Sequence, residues 1–106
     1  MRHHAPLIDL EDAAEEAAEL LRLLANPHRL QVLCALRTGE LSVGEIAARV
    51  GLSHSALSQH LAKLRADQVV GTRRQGQAIF YRVVDDEVLS VLAVVADSIR
   101  RRRGRR

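Results

Sequence analysis

The chain is poor in aromatic residues, with no tryptophan, one tyrosine and one phenylalanine. Its core must therefore be built from Leu, Val, Ala and Ile, and at 47% hydrophobic residues it has enough of them to fold. A single cysteine, Cys34, excludes an intrachain disulfide. No apolar run reaches the roughly 18 residues of a membrane span, and no signal peptide precedes the acidic N-terminal stretch. A cytoplasmic protein with no membrane partner is expected. Constellations for chemistry are missing too: there is no Ser/His/Asp, Cys/His or phosphate-binding loop. Ser58 and His60 stand two apart on a helix and do not face each other as a catalytic pair would. Neither an enzyme nor a cofactor is expected.

The 106 residues make one domain, small enough to gain from dimerising. The formal net charge is +3, but six arginines lie in the last seven residues, so the rest of the chain is net acidic. Six acids fall in the first 19 residues. Between Arg37 and Arg82 the balance reverses, with seven basic residues against three acidic ones. The middle of the chain is thus the basic part of the folded body, as a module that contacts phosphates requires.

That middle contains the stretch around which the chain is organised, Ser53 to Arg65. Leu57, Leu61 and Leu64 form one apolar stripe at helical spacing. The other face carries Ser55, Ser58, Gln59 and His60, with Lys63 beyond, and has no carboxylate. Short hydroxyls, an amide and an imidazole suit the donor and acceptor edges of bases in a major groove. Ser53 sits where an N-cap belongs, with His54 following, so the positive end of the helix would meet DNA. Just upstream, Val43–Val50 reads as a short helix with Ile46, Ala47 and Val50 inward. Gly51-Leu52-Ser53 reads as a tight turn in which Gly51 takes a positive φ. Helix, glycine turn and polar-faced helix make a helix-turn-helix.

Residues 1–8 read as a disordered N-terminus in which His3-His4 is either a metal tag or simply disorder. A helix is predicted from Asp9, as cap, to Leu24, with Ala14, Ala17, Leu20, Leu21 and Leu24 as its stripe. Asn26 caps a second helix with Pro27 in its first position, running from His28 to Leu36 and burying Leu30, Leu33 and either Cys34 or Leu36. Leu41-Ser42 leads into the helix-turn-helix. After Arg65 the period changes. Val69–Arg74 and Ala78–Val83 read as two strands of a hairpin around Gly76. Arg73, Arg74, Gln75 and Gln77 cluster at its tip, as in a wing that reaches phosphates or a minor groove. Asp85 or Asp86 caps a last helix running to about Arg102. Its apolar residues cover most of its circumference, so one face should meet a second copy, with Leu89, Leu92, Val95 and Ile99 joined by Leu20 and Leu24 of the first helix. The domain is placed at 9–99. The basic tail 100–106 is either solvated disorder or a nonspecific DNA contact. The fold class is mainly α with a two-stranded β wing, a dimeric winged helix-turn-helix.

This order of elements, together with Leu24-Ala25-Asn26-Pro27-His28-Arg29-Leu30, Leu57–Arg65 and Arg73–Tyr81, resembles the ArsR-type (arsenic repressor) family of winged-helix transcriptional repressors over residues 13–99. The resemblance implies a homodimer that represses by occupying a palindromic operator in double-stranded DNA and leaves it on sensing an inducer. Metal-sensing members carry cysteines at the start of the third helix, and the matching positions here are Ser42 and Gly44. Others carry Asp and His on the terminal helix, but this chain has no histidine after His60. No metal site is assigned, and a metal-responsive repressor would need ligands the family does not use. Leu33-Cys34-Ala35-Leu36 is similar to the segment holding the first of two cysteines in the biofilm-growth-associated and sulfide-responsive repressors. The second position falls near Arg100, where no cysteine stands, so intramolecular bridging is excluded. Cys34 is then either a one-thiol redox sensor, through a persulfide or mixed disulfide, or a small buried core residue. The remaining alternative is a winged-helix protein-interaction module without sequence-specific DNA binding.

Overall fold

The structure, a computed structural model, describes residues 9–105. Residues 1–8, with His3 and His4, and Arg106 lie outside the described residues. The chain is helical at 9–12 and again in α1 (Ala14–Leu24), with Ala13 (φ −107°) between them and no side-chain cap. The single helix expected from Asp9 is therefore interrupted. Its acids stand at repulsive spacing, Glu11 with Glu15 and Asp12 with Glu16, which weakens a helix that nothing caps. Leu23 and Leu24 are buried, whereas Leu20 and Leu21 face out.

Asn26 then performs the predicted cap. Its side-chain oxygen accepts from the amides of His28 (3.0 Å) and Arg29 (3.1 Å), and Pro27 opens α2 (Pro27–Ala35). Arg29 Nε donates to the Leu23 carbonyl at 2.6 Å, a cation bonded to the open carbonyl end of α1, which fixes the angle between the two helices. Val32, Leu33, Ala35 and Leu36 are buried and Cys34 is exposed, so of the two residues offered for the core, Leu36 takes the place. With Leu33 and Leu36 inward, residue 34 is turned about 100° away from Leu33.

The two-residue strand β1 (Leu41–Ser42) leads into α3 (Val43–Val50). Ser42 and Glu45 form a reciprocal capping box, Ser42 Oγ accepting from the Glu45 amide and Glu45 Oε1 from the Ser42 amide. Gly51 closes α3 at φ +69°, and α4 (His54–Ala66) starts on Ser53, whose Oγ accepts from the Ala56 amide. Leu57, Leu61 and Leu64 are fully buried, as their stripe predicts. The hairpin is β2 (Val70–Gln75) and β3 (Ala78–Val83), turning through Gly76 at φ +63°. The register runs from Val70↔Val83 to Gln75↔Ala78.

The two-strand wing is present, and β1 adds a third strand. Leu41 pairs with Tyr81 and Ser42 with Phe80, giving the antiparallel order β1-β3-β2 with β3 central. This answers the marginal stability of an isolated hairpin by tying its base to the entrance of α3. The helix α5 (Asp86–Gly104) is capped by Asp85, whose Oδ1 accepts from the Glu87 amide. A division at residue 99 would cut a continuous helix: Arg100 to Arg103 lie within it, and Arg100 and Arg101 both pair with Asp97. Val88 is buried and Leu92 packs on the core, while Val94, Val95 and Ile99 further along α5 are exposed. The core is wholly aliphatic, with Val32, Leu33, Ile46, Leu57, Leu61 and Leu64 at its centre.

Candidate nucleic-acid interface

The interface is built on α4, and the buried leucines decide which residues it offers. With Leu57, Leu61 and Leu64 inward, helical geometry puts Ser55 and Gln59 at the middle of the outward face, with Ala62 and Lys63 alongside. Ser53, His54, Ser55, Ser58, Gln59 and Lys63 are all exposed. Ser53 spends its hydroxyl on the cap, so its part is to start the helix. Ser58 lies on the flank toward the wing, where it lines a groove of about 440 Å³ with Ala62, Arg65, Ala66 and Tyr81. Lys63 borders a cleft of about 540 Å³ that also takes in Glu19, Arg22, Arg29 and Asp67.

His60 departs from the expected face. It is half-buried on the flank toward α2, its ring 5.7 Å from that of His28. Burial, then the nearby Arg29 charge and His28, hold its imidazole below the usual value of 6.5. Of the four residues expected on this face, Ser55, Ser58 and Gln59 stand exposed and His60 does not.

The wing also divides. Arg73 donates from Nε (2.9 Å) and Nη2 to the same Glu40 oxygen and from Nη1 to Gln75 Oε1 at 2.9 Å. Its guanidinium sits 4.9 Å from the centre of the Phe80 ring. The Arg73 hydrogen bond holds the Glu40 carboxyl below its ordinary range, with the charges of Arg73 and Arg82 adding to it. Arg74 and Gln77 are exposed, and among the described residues no carboxylate pairs with Arg74.

A helix-turn-helix with a carboxylate-free outer face, followed by a basic wing, is a DNA-binding arrangement. The model of bacterial regulatory proteins of the arsR family matches residues 26–70, from the cap of α2 to the start of β2. The transcriptional activator HlyU of Vibrio cholerae is 46% identical over 84% of this chain and 82% of its own length. The chain belongs to the arsR family. It is a DNA-binding transcriptional regulator, not an enzyme. Among solved structures, NolR from Sinorhizobium fredii superposes with a TM-score of 0.77 at 46% identity, covering 84% of this chain and 89% of that one. The repressor BigR from Xylella fastidiosa superposes with a TM-score of 0.78 at 39% identity, covering 82% and 89%.

Val95 and Ile99 are exposed on α5, together with Val91 and Val94, and Leu20 is exposed on α1 with Leu10 and Leu21 near it in sequence. Leu89 and Leu92 are half-buried, and Leu24 belongs to the protomer's own core. Cys34 borders a shallow cleft of about 210 Å³ with Gln31, Ala35, Arg37, Arg49 and Val50. Among the described residues, no three His, Cys, Asp or Glu side chains converge as metal ligands, and no helix is long and apolar enough to cross a membrane. Glu40, absent from the residues expected at the wing, stands 33 residues from Arg73 and carries no local signal of that pairing.

Proposed function

We propose that this chain is a cytoplasmic homodimeric repressor that occupies a palindromic operator, with α4 of each protomer in a major groove and the wing on flanking phosphates. The observation that carries this reading is the outer face of α4, where Ser55, Ser58 and Gln59 stand exposed beside a wing bearing Arg74. Two such faces related by a twofold axis read inverted half-sites about one helical turn apart. The second copy joins through α5, whose exposed Val91, Val94, Val95 and Ile99 form an apolar surface that one protomer leaves uncovered, with Leu20 of α1 alongside. Two relatives carry opposite signs in their names, HlyU an activator and BigR a repressor, and repression is the simpler outcome of occupying DNA.

An inducing signal releases the dimer, and Cys34 is the one thiol through which a reactive sulfur species or an oxidant could act. The test is enrichment of duplexes from a random-sequence pool by the purified protein. Inverted repeats about one turn apart support the reading, and an unenriched pool overturns it. Transcription from a reporter carrying the enriched sequence then gives the sign: a fall supports repression and a rise overturns it.

A further inference from the structure

We propose that Arg73 anchors the wing and is not one of its phosphate ligands, because Glu40 holds its guanidinium, and that the wing's phosphate contact falls to Arg74. This rests on the DNA-binding reading above and assigns parts within it.

Arg73 and Arg74 are consecutive in β2 and so point to opposite faces of the sheet. Arg74 shares its face with its cross-strand partner Ile79 and with Tyr81, which borders the groove against α4. That groove is also lined by Ser58, Ala62 and Arg65 of α4, which is why the DNA contact is assigned to this face. Arg73 shares the other face with its partner Phe80 and with Gln75. Glu40 immediately precedes β1, while Arg73 belongs to β2, and β3 runs between those strands. The pair therefore straps the outer strands together across the central one, with the Phe80 ring against the guanidinium.

A guanidinium has five N–H donors, and its value for phosphate is the two-pronged contact. Here Nε and Nη2 are on the Glu40 carboxylate and Nη1 is on Gln75. A phosphate meeting the two-pronged Nε–Nη2 edge would have to displace Glu40, leaving a carboxylate beside the DNA backbone. A cation already neutralised by a fixed anion releases few counterions on binding, so it adds little to the salt dependence.

The experiment measures binding of a fluorescent duplex, enriched by the wild-type protein, across a salt series. Each neutralised phosphate contributes roughly 0.9 to the log–log slope, and a dimer carries each residue twice. Arg74→Gln is expected to flatten the slope by roughly two. Glu40→Gln is expected to steepen it by up to about the same amount as Arg73 is freed, and Glu40→Gln/Arg73→Gln to return it to the wild-type value. An unchanged slope in Glu40→Gln overturns the proposal. So does a steep slope that survives in the double variant, since the carboxylate's own field would then be the cause. A second arm uses no DNA: the Arg73 Nε–H in the free protein should exchange with water more slowly than that of Arg74, and lose this protection in Glu40→Gln. Equal exchange in the wild type overturns the anchor. A wild type without salt-dependent binding overturns the DNA reading instead, and the exchange measurement still decides the anchor.

Discussion

The imidazole of His60 packs against that of His28, with ring centres 5.7 Å apart and planes tilted by 44°. The contact joins α4 to the start of α2, and it favours neutral His60, whose pKa lies below the usual 6.5 chiefly through burial. A histidine whose folded pKa is lowered binds fewer protons folded than unfolded. Its contribution to stability is therefore complete above about 6.5 and is lost as the pH falls through the lowered value. Unfolding midpoints in urea should drop between pH 7 and pH 5 in the wild type. They should drop less in His60→Gln; an equal drop would place the pH dependence elsewhere.

Exposure separates two kinds of apolar residue in the dimer proposal. Val95 is 46% exposed and Leu24 only 5% in the protomer. Val95→Glu should leave a folded monomer, because its charge stays in water once the partner departs. Leu24→Glu should unfold the chain, since an unpaired buried charge is costly. Sedimentation and circular dichroism distinguish these outcomes, and a Val95→Glu dimer as tight as the wild type would remove α5 from the interface.

Cys34 is on the surface of the protomer, so it should react with iodoacetamide in the native protein at a rate close to that in urea. Cys34→Ser should bind DNA as the wild type does, because the thiol supports no core contact. Protection of Cys34 in the native state would contradict its exposure. Loss of binding in Cys34→Ser would give the unmodified thiol a part in the DNA-bound form.

The capping box at the start of α3 holds two backbone amides through Ser42 and Glu45. Ser42→Ala should cost about 1 kcal/mol of stability, read from denaturant unfolding. A negligible change would mean that β1 alone holds this entrance.

Much of this was legible in the sequence because it is local. The leucine stripe of α4, the Asn26-Pro27 start of α2 and the positive φ at Gly51 and Gly76 each follow from residues within a few positions of one another. The Ser42-Val43-Gly44-Glu45 box is equally local, a serine followed three residues later by a glutamate. Other features had no short-range signal. Two residues of β1 show no period, and Gln68 adopts φ +62° with nothing nearby to announce it. In Leu33-Cys34-Ala35-Leu36 all four residues are apolar, so periodicity alone could not say which one turns outward. The strap from Glu40 to Arg73 depends on strand order, which only the folded sheet supplies.

The central claim is that α4 reads bases, and Gln59 is its most outward amide. A glutamine that bonds a base edge contributes roughly 1–3 kcal/mol of discrimination at one base pair. Wild-type and Gln59→Ala proteins should each be used to enrich duplexes from the same random pool, with affinities measured on the wild-type consensus. The account predicts that Gln59→Ala binds more weakly by about that amount and loses preference at one symmetry-related pair of positions, keeping the rest of the consensus. An unchanged consensus bound with wild-type affinity would contradict it.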